Sequence, residues 1–176
     1  MGAESWESRT KWIEDPVVAL RLIQEAELTK YLSLEDEIAQ GLRHYRQYEE
    51  AADDLGDMIL QPLAVFKRLS KETVPTDFEG KLNVLRLIRD SDGSGIGNVL
   101  DIRSISSEGN TFVAQLLNER EMLALLGTSQ PGDDWLNYVT AEFRRQVGRA
   151  DSICFPIYDE TGTIKVEWCF FGFSLD

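Results

Sequence analysis

Asp90, Asp92, Ser94, Asn98 and Asp101 fall at positions one, three, five, nine and twelve of the stretch DSDGSGIGNVLD, with Gly95 at position six. Oxygen donors at this spacing can wrap one hard cation, and the glycine permits the sharp turn that the wrapping needs. The chemistry implied is calcium binding. The competing expectation is a long polar β-hairpin connection, since Asp, Ser and Gly are also the ordinary turn formers.

In its oxygen positions the stretch resembles an EF-hand loop. It departs from that pattern at position eight, where Gly97 replaces the apolar residue that pairs with a second loop. At position twelve, Asp101 has a shorter arm than the usual Glu. DIRSISSEGN, which follows, is a poor helix, and no second loop of this kind occurs in the chain. No cofactor is expected, with a weak Ca²⁺ site as the alternative.

A second candidate is EEAADDLGD, residues 49–57. On a helix Glu49, Asp53 and Asp57 lie four apart, as do Glu50 and Asp54, and like charges at that spacing repel. Such a face is expected to steer a partner or to stand in solvent. DDLGDMIL also resembles the second acidic motif of MazG-type nucleotide pyrophosphohydrolases. That resemblance covers about residues 35–60 and implies a helical magnesium site, with Asp54 and Asp57 as two of the ligands. The upstream motif is matched by Asp36, Glu37 and Gln40, so an amide stands where the family has a carboxylate. A magnesium-dependent hydrolase is thus a further alternative.

Other chemistry is sparse. The one histidine, His44, excludes Cys₂His₂ and His₃ metal sites within a single chain. No Gly-x-Ser-x-Gly elbow accompanies it, so a serine-hydrolase site has no support. His44 lies in RHYRQY and is expected at the surface beside tyrosines. GSGIG, residues 93–97, lacks the spacing of a dinucleotide fingerprint and the Lys-Ser/Thr of a P-loop. Cys154 and Cys169 fall on expected strands as a pair of thiols, with nothing nearby in sequence to activate them.

Charge says more. The chain of 176 residues carries 18 basic and 31 acidic residues, a formal charge of −13. Phosphate backbones are bound through Lys/Arg clusters that release counterions, so direct binding of nucleic acid or of an anionic membrane is disfavoured. A basic protein, or a nucleic-acid-binding protein whose groove this chain occupies, fits the charge better. No apolar run approaches the roughly 18 residues of a membrane span, and the first residues lack the features of a secretory signal. A cytoplasmic location is expected. Trp6 and Trp12, in a polar N-terminal segment, either pack back or anchor that partner.

These residues need a scaffold. Asp15-Pro16 begins a helix expected to reach Leu32, and Ser33 with Asp36 caps a second. Ile38, Leu42, Tyr45, Ala52, Leu55 and Ile59 continue the helical spacing, Gly41 and Gly56 weaken it, and Pro62 kinks or ends it. LAVFKRLS suggests a third short helix. KLNVLRLIRD, NVLDIRSIS and TFVAQLL have the texture of strands. Asn118 with Glu121 caps EREMLALL, which Gly127 stops, and Asp133 or Asp134 opens a helix carrying Leu136, Val139, Phe143 and Val147.

SICFPIY and TIKVEWCFFGF read as a hairpin about Thr161-Gly162. That turn sets Cys154 opposite Cys169 and puts Ile153, Phe155 and Ile157 on one face with Ile164, Val166, Trp168 and Phe170. Pro156 calls for a bulge or an edge strand, and Phe171 or Phe173 is left to meet another surface. The expected fold is α+β in a single domain over 1–176. Residues 1–70 would be mainly an N-terminal helical hairpin, and 81–176 an antiparallel sheet of about four or five strands with two helices inserted. The expected function is non-catalytic: an acidic module that inhibits, neutralises or chaperones a basic partner, using Glu49, Glu50, Asp53, Asp54, Asp57, Trp6 and Trp12.

Overall fold

The computed structural model describes residues 4–30, 33–48, 57–92, 96–147 and 151–173. It forms two compact units, one made of residues 1–26 with 97–176 and the other of residues 27–96. The fold mixes helices with a five-stranded sheet, and no helix among the described residues is long and apolar enough to cross a membrane.

Strand β1 (Ser5–Lys11) precedes the helices, so the expected N-terminal helical part follows one strand and comes ahead of the other four. Helix α1 (Pro16–Leu28) follows. Asp15 caps it, its carboxylate accepting from the Val17 amide at 2.8 Å and its carbonyl from Ala19 at 3.1 Å. The helix ends four residues short of the expected Leu32.

The unit of residues 27–96 contains α2 (Leu34–Arg46), α3 (Asp57–Leu69) and α4 (Phe78–Asp92). Ser33 caps α2 through the Asp36 amide, as the sequence suggests. Helix α3 runs through Pro62 instead of ending there, at the cost of one main-chain hydrogen bond. KLNVLRLIRD, expected to be a strand, is helix: Asp77 accepts from the Gly80 amide at 2.8 Å and starts α4. Leu82, Leu85 and Ile88 recur every three residues and are buried. That spacing follows one helix face and would alternate sides on a strand. Ile38, Phe66, Leu69 and Ile88 form a shared core.

In the other unit a short 3₁₀ turn (Val99–Asp101) leads to β2 (Ser104–Ser106) and β3 (Val113–Leu116). Then come α5 (Glu119–Leu126), a second 3₁₀ turn (Trp135–Tyr138), α6 (Ala141–Gln146), β4 (Ser152–Tyr158) and β5 (Lys165–Phe173). The sheet order is β1-β5-β4-β3-β2. Its β1-β5-β4 half is antiparallel, but β4, β3 and β2 run parallel, so the sheet is mixed rather than antiparallel. The β2–β3 connection spans only residues 107–112. Phe112 turns it at φ 64°, and Arg103 bonds back to the Phe112 carbonyl at 2.7 Å.

Both sheet faces are covered. Ala19, Leu20 and Ile23 of α1 pack with Val99, Ile102, Cys154, Trp168 and Phe170 on one face. Trp135, Phe143 and the apolar side of α5 pack with Ile153, Phe155, Ile157, Cys169 and Phe171 on the other. Central β4 is therefore apolar on both sides, as a strand buried between two layers must be. The capping box of Asn118 and Glu121 and the left-handed Gly127 bound α5 as read from sequence. The helix expected after Asp133 or Asp134 is instead the second 3₁₀ turn, then α6 capped by Thr140; Leu136 is exposed and Trp135 is buried.

The terminal hairpin forms, with one change of register. Tyr158 opposes Lys165, but Ile157 opposes Glu167, so Val166 is the extra residue of a bulge. Beyond it every pairing slips by one, and in a strand a one-residue slip exchanges the faces. Cys154 thus lies opposite Phe170, not Cys169. Trp168 and Phe170 join the α1 face instead of the Ile153–Phe155–Ile157 face. Pro156 lies beyond Leu116, the last residue of β3, so β3 asks no ladder bond of it. Phe171 is buried and Phe173 half-buried against the same core.

Candidate functional site

Two clefts open on the sheet-containing unit, and both are built around its terminal hairpin. The first, about 1030 Å³, lies between the hairpin turn and residues 130–134. Asp133, Asp134, Asp159, Glu160 and Glu167 contribute five carboxylates to its lining, against the single Lys11.

Local structure explains the placement. Asp159 nucleates the turn: its Oδ1 accepts from the amides of Thr163 and Ile164, each at 3.1 Å, and from Thr161 Oγ1 at 2.8 Å. The Ile164 amide above all, with the Thr161 hydroxyl and other turn amides adding to it, holds the Asp159 carboxyl below the usual carboxylate range. Gly162 sits at φ 71°, where a β-carbon would be strained. The Tyr158 amide donates to the Pro131 carbonyl at 2.8 Å, tying the hairpin to the 130–134 segment. Arg9 of β1 reaches Asp133 at 2.5 Å, lies 3.6 Å from Glu167, and also pairs with Glu7.

The second cleft, about 840 Å³, shares Trp12 and Tyr158 with the first. It lies where β3 and β4 end and α5 begins, with Leu116, Leu117, Met122 and Pro156 as apolar lining and Glu14, Glu119 and Lys165 among its charges. Trp12 stacks on Trp168 with ring centres 4.7 Å apart. The Trp168 indole N–H donates to the Ile13 carbonyl at 2.7 Å, fixing the stack against the chain that leaves β1. The Lys165 ammonium sits 4.8 Å over the Trp12 ring. Burial, with the charge of Glu119 adding to it, raises the Tyr158 hydroxyl pKa.

The residues singled out from sequence are scattered. Trp12 enters both clefts. Trp6 packs instead on the sheet, over Gly172, where a β-carbon would come within 2.5 Å of the indole. Glu49, Glu50, Asp53, Asp54 and Ser94 lie outside the described residues, and Asp57 begins α3. Helix α4 continues through Asp90 and Asp92, so the head of the expected calcium loop is helix and no hairpin connects it. Asn98 caps the first 3₁₀ turn through the Leu100 amide at 2.9 Å, and Asp101 accepts from the Gly97 amide at 2.7 Å. Those oxygens already serve the backbone. Of the acidic helix positions, Glu37 lies 3.3 Å from Arg89 in an ion pair. His44 is exposed, edge-on to Tyr45 and Tyr48.

Sequence reasoning missed Tyr158, Trp168, Lys165 and the carboxylates at 133, 134, 159 and 160 as a group. One signal pointed to them: acidic residues next to turn formers in QPGDDW and YDETG. Their convergence depends on strand pairing. Both thiols are buried, and burial pushes Cys154 up to about 12 and Cys169 higher still. Compared with known proteins, the chain matches no family model, no curated sequence and no solved structure.

Proposed function

We propose that this chain is a non-catalytic acidic binding protein that inhibits, neutralises or chaperones a basic or nucleic-acid-binding protein. The observation that carries the reading is the acid-lined cleft at the hairpin turn, where five carboxylates face one lysine. Two of them, Asp133 and Glu167, share Arg9; Glu160 makes no ion pair among the described residues. The overall charge of −13 adds a long-range field that speeds the approach of a positive partner. Exposed carboxylates tune approach and specificity, while aromatic contact supplies short-range energy. Trp12, at the junction of the two clefts, is the aromatic placed to do so.

The test is capture of the partner at graded salt, by the wild-type chain and by the variant Asp133→Lys/Asp134→Lys/Glu160→Lys. Capture should weaken steeply with ionic strength and be lost in the variant. A yield that ignores salt and survives the charge reversal would count against the reading, as would steady product formation by a purified, partner-free sample.

A further inference from the structure

The two clefts meet at Trp12 and Tyr158, and the smaller one has the chemistry of a cation site. Trp12, Tyr158 and Trp168 give it aromatic lining, and Glu14 and Glu119 give it carboxylates. Aromatic faces are electron-rich at their centres and attract alkylammonium and guanidinium groups, more strongly when the cation is drawn out of water. Carboxylates alongside add full charge. Glu14, Glu119 and Lys165 make no ion pair with one another or with any other described residue.

One cation is already in place. Trp168 can stack on only one face of the Trp12 indole, and the Lys165 ammonium lies 4.8 Å from the centre of that ring. Lys165 is exposed at the start of β5. Its four-carbon stem is free to swing into solvent without disturbing the strand. A weakly held internal cation over an indole, with two unpaired carboxylates in the same cleft, is the arrangement expected of a seat that another cation can take.

We infer that the 840 Å³ cleft is the docking site for a lysine or arginine side chain of a basic polypeptide, with Lys165 occupying the Trp12 face until that side chain displaces it. The inference rests on the acidic-binding reading and names the contact by which it works. Charge complementarity selects this occupant. The five carboxylates of the adjoining cleft continue the surface past Trp12, so a chain with several basic residues satisfies both clefts at once.

The experiment uses the whole chain and an acetylated hexalysine peptide, with a fully side-chain-acetylated copy as the neutral control. Binding is followed by the indole N–H resonances of Trp12 and Trp168 and by calorimetry. The charged peptide should shift both resonances saturably and the neutral copy should not. Lys165→Met, which removes the internal competitor, should tighten binding several-fold. Trp12→Leu should weaken it about tenfold. Glu14→Gln/Glu119→Gln, confined to exposed side chains, should weaken it as well, and it carries the test if Trp12→Leu fails to fold.

If the peptide binds equally well to all four proteins, the cleft is not its seat; the inference fails while the acidic-binding reading stands. If no variant binds the charged peptide at low salt, both fail together.

Discussion

Gln24 on α1 donates its side-chain amide to the main-chain carbonyl of Ile102 at 2.8 Å, and to that of Val99 at 3.0 Å. The glutamine is buried, and it satisfies two carbonyls at the 3₁₀ turn that leads into β2. Gln24→Ala should therefore destabilise the sheet-containing unit by about 2 kcal/mol, since two buried hydrogen bonds are lost, although the Val99 carbonyl keeps the Ile102 amide at 3.3 Å. Gln24→Glu should cost more at neutral pH than at pH 4, because only the protonated acid can donate. Urea unfolding at the two pH values measures both.

Gly41 sets two magnitudes against each other. Replacing a helix-interior glycine by alanine ordinarily stabilises by about 1 kcal/mol. Here a β-carbon would stand 2.2 Å from the buried Phe66 ring. Overpacking of a core costs about 1–3 kcal/mol, so Gly41→Ala should destabilise the helical unit. Adding Phe66→Leu should recover part of the loss, and the non-additivity is the readout of a double-mutant cycle.

The two thiols should behave as core residues. Cys154 and Cys169 belong to the cores on opposite sheet faces, so mild oxidation should form no intramolecular disulfide. Neither should react with a thiol reagent at pH 8 until the chain unfolds. Their pKa values are raised in the folded state, Cys154 from 9.0 to about 12. Above about pH 9 the unfolded chain gives up these protons before the folded one does, so stability falls as pH rises from there. Substituting Cys154→Ala should flatten that part of the pH–stability curve.

Val166 is the bulge residue and is exposed. Val166→Thr should change stability by no more than about 0.5 kcal/mol. Deleting Val166 should leave the sheet folded, because Glu167 then follows Lys165 directly and keeps its place opposite Ile157, with Trp168 and Phe170 still on the α1 face. Retention of near-ultraviolet circular dichroism in both the deletion and the substitution checks this.

Calcium should leave the melting temperature unchanged, because Asp90 and Asp92 belong to a helix and Asp101 is held by the Gly97 amide. A rise that Asp101→Asn abolishes would restore the metal reading.

The sequence by itself determined whatever short-range chemistry decides. Asp15-Pro16, Ser33, and the Asn118–Glu121 box with Gly127 start and stop their helices as their side chains dictate, because a cap is made within a few residues of itself. The hairpin was legible in the same way, from Asp159–Gly162; Pro156 called for a bulge or an edge strand, and β3 ends before reaching it. The net charge follows from composition alone.

What only the tertiary structure decided is everything set by pairing at a distance. The Ser5–Lys11 segment is a strand because β5 offers it an edge; β2 and β3 are parallel because the 107–112 connection returns the chain to its start, and β3 and β4 because the segment carrying α5 and α6 returns it again. Leu82, Leu85 and Ile88 are helical because Asp77 caps them and the helical core receives them. Above all, the bulge at Val166 shifts β5 by one residue, and a period of two turns that single residue into an exchange of faces. It puts Trp168 beneath Trp12 and so makes the cleft.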